Sequence, residues 1–164
     1  MEDTNPRHIR LSIHKALKPH MPVKSGDMME GKKIKGRKRH IAVDTMGNLL
    51  GIVVHRANEH DTMSGIFPAL FAHTLYPSIR GFCADAGYRG NFECEIKELL
   101  QLNVDIVKRE RDVDWEVLTK RWIVERTFAW LNNSRRLSKD YEITTDSAEC
   151  MVKVSHIHTL LKRL

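Results

Sequence analysis

Two acidic residues, Asp85 and Glu125, occupy positions from which a carboxylate could take part in chemistry. Asp85 follows the apolar run 79–84 and precedes glycines that let the backbone approach a ligand closely. Glu125 belongs to a segment with helical periodicity and basic neighbours. Acids far apart in sequence can converge on a hard divalent cation such as Mg²⁺, which takes oxygen ligands. Two such cations could promote phosphodiester transfer by activating a water or a 3′-hydroxyl group.

Each acid also has an ordinary structural interpretation. Glu125 could be a surface residue whose i,i+4 neighbours are Arg121 and Ala129, and exposed ion pairs of this kind are common. Asp85 could cap the next helix, but Asn91 is the more natural cap. The local pattern therefore favours a surface role for Glu125 and a site role for Asp85, and both alternatives stay open.

The segment Lys120–Tyr141 must position Glu125, and its pattern predicts one long helix that ends near Leu137. At about 100° per residue, one face collects the apolar side chains of Val117, Val124, Phe128 and Leu131. The strip beside that face collects Arg121, Glu125 and Asn132. Positive charge surrounds the acid, from Arg126, Arg135, Arg136 and Lys139. A rigidly held acid in a basic field suits a protein that holds a metal ion against a polyanion.

The segment 40–55 predicts a β-hairpin, because two apolar runs flank a turn that contains Gly and Asn. Asp44 is expected to bond to backbone amides of that turn, and a metal role for it is the minor alternative. Residues 1–22 are ambiguous. The alternation of Ile9, Leu11 and Ile13 fits a strand, whereas the spacing of Ile13, Ala16 and Leu17 fits a helical turn.

Short strands are predicted over 79–84 and 104–108, separated by a helix over 91–102. Asp61 is the expected N-cap of an earlier helix, and a ligand role for His60 and Asp61 is the weaker alternative. Pro68 either kinks that helix or begins a new one over 67–76. The order of elements predicts an α/β class (α+β mixed), a mixed sheet with helices packed on it.

The last helix is predicted to begin at Asp146, with Glu149 completing a capping box. Its expected buried stripe follows helical spacing and consists of Cys150, Val154, Ile157, Leu161 and Leu164. This helix is expected to be scaffold, with no functional role for His156 or His158.

The chain carries a formal net charge of +6, which favours an anionic partner and nucleic acid first. The densest basic run, 32–39, is either a solvated stretch or a set of phosphate contacts. Its cations are Lys32, Lys33, Lys35, Arg37, Lys38 and Arg39. The three widely spaced cysteines suggest neither a zinc site nor a disulfide framework. With no apolar run of membrane-spanning length, no membrane partner is expected and a cytoplasmic location is favoured.

Three blocks closely resemble the catalytic domain of bacterial insertion-sequence transposases of the DDE type. They are KGRKRHIAVDTMGNLL (35–50), ADAGYRG (84–90) and RWIVERTFAWLNNSRRLSKDYE (121–142), in the order found in that family. The resemblance runs from about Val23 to Leu164. It implies an RNase H-like fold with a mixed five-stranded sheet, and DNA cutting and joining at element ends with Mg²⁺, or Mn²⁺, held by Asp, Asp and Glu.

The resemblance assigns roles to residues of this chain. Asp85 matches the second catalytic Asp, and Glu125 matches the catalytic Glu. Arg121 matches an Arg that the family places four residues before the Glu. Seven positions after the Glu the family often has a Lys that touches DNA, but here Asn132 stands there. Arg126, Arg135, Arg136 and Lys139, with the run 32–39, are the expected DNA contacts.

The first catalytic Asp of the family has no counterpart. Relatives carry I-D-S-x-S-V-K just ahead of the basic run, whereas here only Val23-Lys24 matches and Pro19 takes the Asp position. Asp27 and Asp44 are possible substitutes that no motif places. The family's N-terminal DNA-binding region is not matched either, so we expect a truncated or frame-altered copy, with 1–22 divergent and 23–164 the catalytic domain.

The resemblance therefore predicts a DNA transposase that is incomplete or inactive in this copy. The alternatives are a non-catalytic DNA-binding remnant and a divalent-metal nuclease of the same fold that makes no joined product. Double-stranded DNA is the expected partner, and the family implies a homodimer or larger assembly that is associated with the nucleoid.

Overall fold

The computed structural model describes residues 9–19, 36–57, 61–107 and 121–164 of the 164-residue chain. Its five strands are β1 (Ile9–Pro19), β2 (Gly36–Val43), β3 (Leu49–Arg56), β4 (Ile79–Asp85) and β5 (Asn103–Val107). They form one sheet in the order β3-β2-β1-β4-β5. β1, β2 and β3 pair antiparallel, whereas β1, β4 and β5 pair parallel. The predicted mixed sheet is confirmed, and the ambiguous N-terminal segment supplies its central strand.

The helices of the described residues lie on both faces of the sheet. They are α1 (Asp61–Leu75), α2 (Asn91–Leu100), α3 (Arg121–Asn132) and α4 (Thr145–Leu161). Two single-turn 3₁₀ helices cover Ala86–Tyr88 and Arg135–Leu137. None of the described helices is long and apolar enough to cross a membrane.

Strand alternation separates the two cores. Ala42 and Phe82 pack with α1 and α2 on one face of the sheet. Ile41 and Val43 pack with α3 and α4 on the other face. Because successive strand side chains point to opposite faces, each core draws on every second residue of β2, and the sheet lies between two helical layers.

The predicted hairpin is confirmed, and Asp44 serves its turn. Oδ1 of Asp44 accepts hydrogen bonds from the backbone N–H groups of Met46 and Asn48, at 2.9 and 2.8 Å. Oδ2 accepts a third from the side-chain amide of Asn48 at 2.8 Å. Gly47 has a φ of +85°, a conformation that L side chains rarely adopt. The turn therefore uses both oxygens of Asp44.

Pro68 lies inside α1, which continues through it, so no new helix begins at residue 67. Gly51 of β3 lets this helix pack against the sheet. A Cβ at position 51 would lie 2.6 Å from the carbonyl oxygen of Pro68. The lack of a side chain at Gly51 is therefore what permits the close contact between α1 and β3.

The prediction for α4 is wrong about its cap and its buried face. Thr144 is the N-cap, and its Oγ1 accepts a hydrogen bond from the Ser147 N–H at 3.1 Å. Glu149 instead accepts from the backbone N–H of Val54 at 2.9 Å, and Nε2 of His156 accepts from that of Leu49 at 3.0 Å. The residues of the predicted buried stripe are exposed, namely Cys150, Val154, Ile157, Leu161 and Leu164.

The reason lies in the sheet edge that α4 covers. β3 is the edge strand of the described sheet, so none of the described strands pairs with its outward N–H groups. Buried backbone donors need acceptors, and Glu149 and His156 supply them. The polar side of α4 therefore turns inward, alongside the smaller buried residues Ala148 and Val152.

Two other helix predictions need correction. α3 ends at Asn132, because the chain turns through Ser134 into the second 3₁₀ helix, and Leu137 is buried there instead of ending the long helix. The N-cap of α2 is Gly90, and Asn91 is its first residue. The carboxylate of Glu93 accepts from the Gly90 N–H at 3.1 Å. A side chain within the first turn thus satisfies the N-cap amide.

Candidate active site

Asp85 is the last residue of β4 and is half-buried at the carboxyl end of the parallel strands. Its Oδ1 accepts a hydrogen bond from the Ala86 N–H at 2.7 Å, so it caps the 3₁₀ helix that follows. Phe82 and Ala84 belong to the core under α1 and α2. By strand alternation, Asp85 lies on the opposite face, where α3 packs. Ligands of open α/β sheets gather at this edge.

Tyr88 fixes the loop that follows Asp85. Its side chain is buried, and its hydroxyl group hydrogen-bonds to Nδ1 of His40. A Cβ at Gly65 would lie 2.2 Å from Cε1 of Tyr88, so the ring fits against α1 only because residue 65 is glycine. Burial first, and then the negative charge of Asp85, raise the pKa of the Tyr88 hydroxyl above its ordinary value. The Tyr88 hydroxyl therefore keeps its proton at physiological pH and can donate a hydrogen bond.

The hydrogen bonds continue from His40 to a second histidine. Nε2 of His40 contacts Nε2 of His55, and Nδ1 of His55 lies 2.8 Å from the carbonyl oxygen of Arg56. A carbonyl only accepts, so Nδ1 of His55 carries a proton. With both rings neutral, Nε2 of His40 donates to His55 and Nδ1 of His40 accepts from Tyr88. Each of the three contacts, from Tyr88 to His40, from His40 to His55 and from His55 to Arg56, then has one donor and one acceptor.

Sequence reasoning missed this network, although part of the signal was present. In the hairpin, His55 pairs with Lys38, two residues before His40. Diagonal neighbours on one face of an antiparallel pair can touch, and the two imidazole rings stack with centroids 4.6 Å apart. The hairpin register would have indicated the histidine pair. No local pattern indicated Tyr88 as its third member.

Glu125 is exposed on α3, whose other side packs on the sheet. The turn of the hairpin holds this helix in place. Oγ1 of Thr127 donates to the carbonyl oxygen of Gly47 at 3.1 Å, and Nη2 of Arg126 donates to that of Met46 at 2.9 Å. α3 contacts β1 and β2, and β1 is the neighbour of β4. Asp85 and the helix that carries Glu125 therefore belong to the same face of the sheet.

The described residues do not bring three possible metal ligands together. No group of three His, Cys, Asp or Glu residues is placed to hold a metal ion within them. Asp44 is engaged in its turn. Asp27 and His60 lie outside the described residues, and Asp61 begins α1. Asp85 and Glu125 are suitable oxygen donors for Mg²⁺, but on the described part of the chain they lack a third acid.

β1 passes the place where a third acid would be expected. Ile13 pairs with Ala84, so the next residues along these parallel strands are His14 and Asp85. Pro19, which the sequence blocks align with the missing Asp, pairs with Gly36 at the far end of β1. In this register His14, and not Pro19, is the β1 residue beside Asp85.

Part of the basic run 32–39 is buried. Arg37 is buried, and its Nη1 lies 3.3 Å from Oδ2 of the buried Asp140. Its guanidinium group also donates to the carbonyl oxygens of Glu142, Ile143 and Thr144 at 2.6 to 3.0 Å. These contacts hold the guanidinium group of Arg37 inside the protein.

Arg39 and Lys38 are buried as well. Nη2 of Arg39 lies 4.0 Å from Oδ1 of Asp140. Burial lowers the pKa of Arg39, Asp140 opposes this shift, and Arg37 adds to it. Sequence reasoning missed Asp140, which no helical or strand pattern marks. Lys32, Lys33 and Lys35 lie outside the described residues.

Arg126 has an internal role through aromatic contacts. Its guanidinium carbon lies 4.3 Å from the ring centroid of Trp122 and 4.7 Å from that of Trp130. Arg163 lies over the Trp130 ring at 3.6 Å. The other predicted DNA contacts of this region, Arg135, Arg136 and Lys139, are exposed. Arg121 is the first residue of α3.

The strand order, the antiparallel first half and the helices on both faces define an RNase H-like fold, and solved structures confirm it. The catalytic core of HTLV-2 integrase in complex with magnesium is 13% identical over 92% of this chain and 84% of that one, with a TM-score of 0.54. The catalytic core of BIV integrase is 11% identical over 90% of this chain and 80% of that one, with a TM-score of 0.53. A chain of a simian T-cell lymphotropic virus intasome is 14% identical, and the match covers 92% of this chain and 47% of that one, with a TM-score of 0.60.

Sequence comparison identifies the family within this fold class. The transposase DDE domain family matches residues 18–157, so the chain belongs to that family. The chain is 30% identical over 129 residues to a putative transposase for insertion sequence element IS402 of Burkholderia cepacia. That match covers 73% of this chain and 60% of the relative, so the chain spans less than two thirds of the curated protein.

Proposed function

We propose that this chain carries out, or derives from a protein that carries out, DNA strand cleavage and strand transfer at the ends of an insertion element. One observation supports this most directly. In a member of the transposase DDE domain family, Asp85 and the helix that carries Glu125 lie on one face of an RNase H-like sheet. The basic composition suits the polyanionic substrate.

In this proposal Asp85 and Glu125 are the protein ligands of Mg²⁺ or Mn²⁺, and Arg121 assists beside Glu125. A bound divalent cation would supply charge neutralisation at the transferred phosphate. Two carboxylates can suffice for Mg²⁺ when waters and substrate oxygens complete the shell. The described residues add no third acid, so reduced activity in this copy is part of the proposal.

The proposed partner is double-stranded DNA. Arg135, Arg136 and Lys139 are exposed on the segment after α3 and are the described cations that we assign to it. Lys32, Lys33 and Lys35 are assigned by sequence alone. The HTLV-2 integrase core is known in dimeric and trimeric forms, which supports a homodimer or larger assembly here. A cytoplasmic, nucleoid-associated location follows from the proposed substrate.

The test is nicking of supercoiled DNA that carries the element ends, in Mg²⁺ and in Mn²⁺. Glu125→Gln and Asp85→Asn should each abolish nicking, because each removes a charged ligand. Glu98→Gln is the matched control, since it neutralises an exposed helical acid on α2. Nicking that survives both site substitutions would overturn the assignment. Nicking without a joined product would favour a nuclease.

A second candidate, a non-catalytic DNA-binding remnant, is favoured by the incomplete set of acids. It predicts no nicking by any variant, together with DNA binding that weakens steeply as salt increases. The same preparations distinguish the two functions when binding and nicking are measured side by side.

A further inference from the structure

We propose that a basic cleft between α4 and the 3₁₀ helix Arg135–Leu137 binds the phosphodiester backbone of DNA. We call it the Trp130 cleft. This proposal rests on the proposed function. It adds residues near the end of α4 that neither the family motifs nor the sequence patterns assign. Its volume is about 540 Å³, and it is lined by Trp130, Asn133, Ser134, Arg135, Arg136, His158, Thr159, Lys162 and Arg163.

The charge of the Trp130 cleft has one sign. Four lining residues are Lys or Arg, and no Asp or Glu is among those that line it. Of the four, Arg136 has a described ionic partner, with its Nη2 2.7 Å from Oε1 of Glu142, and its side chain is still 60% exposed. Converging cations raise the local concentration of anions, so the cleft favours a polyanion over a neutral ligand.

A second depression extends the cleft. It has a volume of about 420 Å³ and is lined by Arg135, Arg136 and Tyr141. The two depressions share the adjacent arginines, so they form a continuous basic surface across the 3₁₀ helix. Leu137 is buried beneath it and fixes that helix to the core. An extended chain of phosphates fits such a surface better than a single small anion does.

The cleft presents hydrogen-bond donors, and the indole ring of Trp130 is already in contact with guanidinium groups. Arg163 lies over the Trp130 ring at 3.6 Å and Arg126 at 4.7 Å. A base that stacked on this indole would have to displace a guanidinium group. The stacking also restricts the flexible Arg163 side chain before binding, which reduces the entropy lost when it contacts a ligand. At Trp130 the cleft therefore offers guanidinium N–H donors to phosphate oxygens and no free ring face to a base.

The test compares two double variants that remove the same charge. Lys162→Gln with Arg163→Gln changes the cleft, whereas Arg80→Gln with Lys97→Gln changes exposed cations on β4 and α2. Binding of a short fluorescent duplex is measured by anisotropy over a range of salt concentrations. Each lost phosphate contact should reduce the slope of log K against log salt by about 0.9. For the cleft variant the slope of log K against log salt should therefore be shallower by about 2. For the control variant the slope should not change.

Several outcomes would overturn the proposal. Equal slopes for the cleft variant and the control, with the wild type binding and nicking DNA, would overturn the cleft and leave the proposed function standing. A wild type that does not bind DNA would overturn both. If the Arg163 change unfolds the chain in a thermal scan, Lys162→Gln alone makes the test against Lys97→Gln, with an expected loss of about 0.9 in slope for the cleft variant.

Discussion

The hydroxyl group of Tyr88 donates a hydrogen bond to Nδ1 of His40, and this contact joins the loop after Asp85 to the middle of the sheet. Both side chains are buried. The loop that carries a proposed ligand is therefore fixed by a buried polar contact in addition to its backbone.

Removing the Tyr88 hydroxyl should cost stability. Tyr88→Phe keeps the ring against α1 but leaves Nδ1 of His40 without its donor, and an unsatisfied buried polar group costs about 1–3 kcal/mol. The free energy of unfolding in urea measures this loss. Tyr141→Phe is the control, because Tyr141 is exposed, and its effect should stay within about 0.5 kcal/mol. Equal effects of the two substitutions would show that the buried contact contributes nothing.

Acid should weaken the attachment of α4 to β3 through His156. Burial lowers the pKa of His156 below its ordinary value of 6.5, Arg163 lowers it further, and Asp44 opposes both. The unfolded chain therefore takes up the proton more readily. The neutral His156 side chain therefore stabilises the folded state fully above about pH 6.5. This stabilisation is lost as the pH falls toward the lower pKa that His156 has in the folded state.

The measurement is the free energy of unfolding between about pH 5 and pH 7.5, a window around the ordinary histidine pKa. His156→Gln, which retains an acceptor for the Leu49 N–H, should show a smaller pH dependence than the wild type. His158→Gln, on an exposed position of the same helix, should behave like the wild type. An unchanged slope in the His156 variant would contradict the assignment.

Asp140 should be the more costly of two neighbouring acids to neutralise. Asp140→Asn removes the negative charge beside the buried guanidinium groups of Arg37 and Arg39. Breaking a buried ion pair in this way costs about 3–5 kcal/mol. Glu142→Gln affects a pair with the exposed Arg136, and such surface pairs contribute about 0–1 kcal/mol. Thermal and urea unfolding of both variants would test the ranking, and a similar loss from each would contradict it.

The β1 register predicts where an added acid could restore activity. His14→Asp introduces a carboxylate at the strand position next to Asp85, whereas Pro19→Asp introduces one at the end that pairs with Gly36. We expect a gain of metal-dependent nicking from His14→Asp and none from Pro19→Asp. The opposite result would favour the alignment of the sequence blocks over this register. The Glu125→Gln substitution should remove any gain, because the added acid needs its partner.

Local sequence determined the hairpin, because its turn chemistry and its alternating residues act over a few positions. Asp44 was assigned correctly for the same reason, since its hydrogen-bond partners lie two and four residues away. The mixed sheet and the family also followed from the chain alone. Asp85 could be placed at a strand end, because the apolar run before it is short and glycines follow it at positions 87 and 90.

Only the tertiary structure decided which side of α4 is buried and where the cations of the basic run point. Helical spacing marks an apolar stripe, but the N–H groups of an edge strand required Glu149 and His156 on the inner side. Charge density predicts a solvated run, but Asp140, far away in sequence, holds Arg37 inside the protein. These outcomes depend on buried polar groups finding partners at long range, and such partners leave no periodic signal in the sequence.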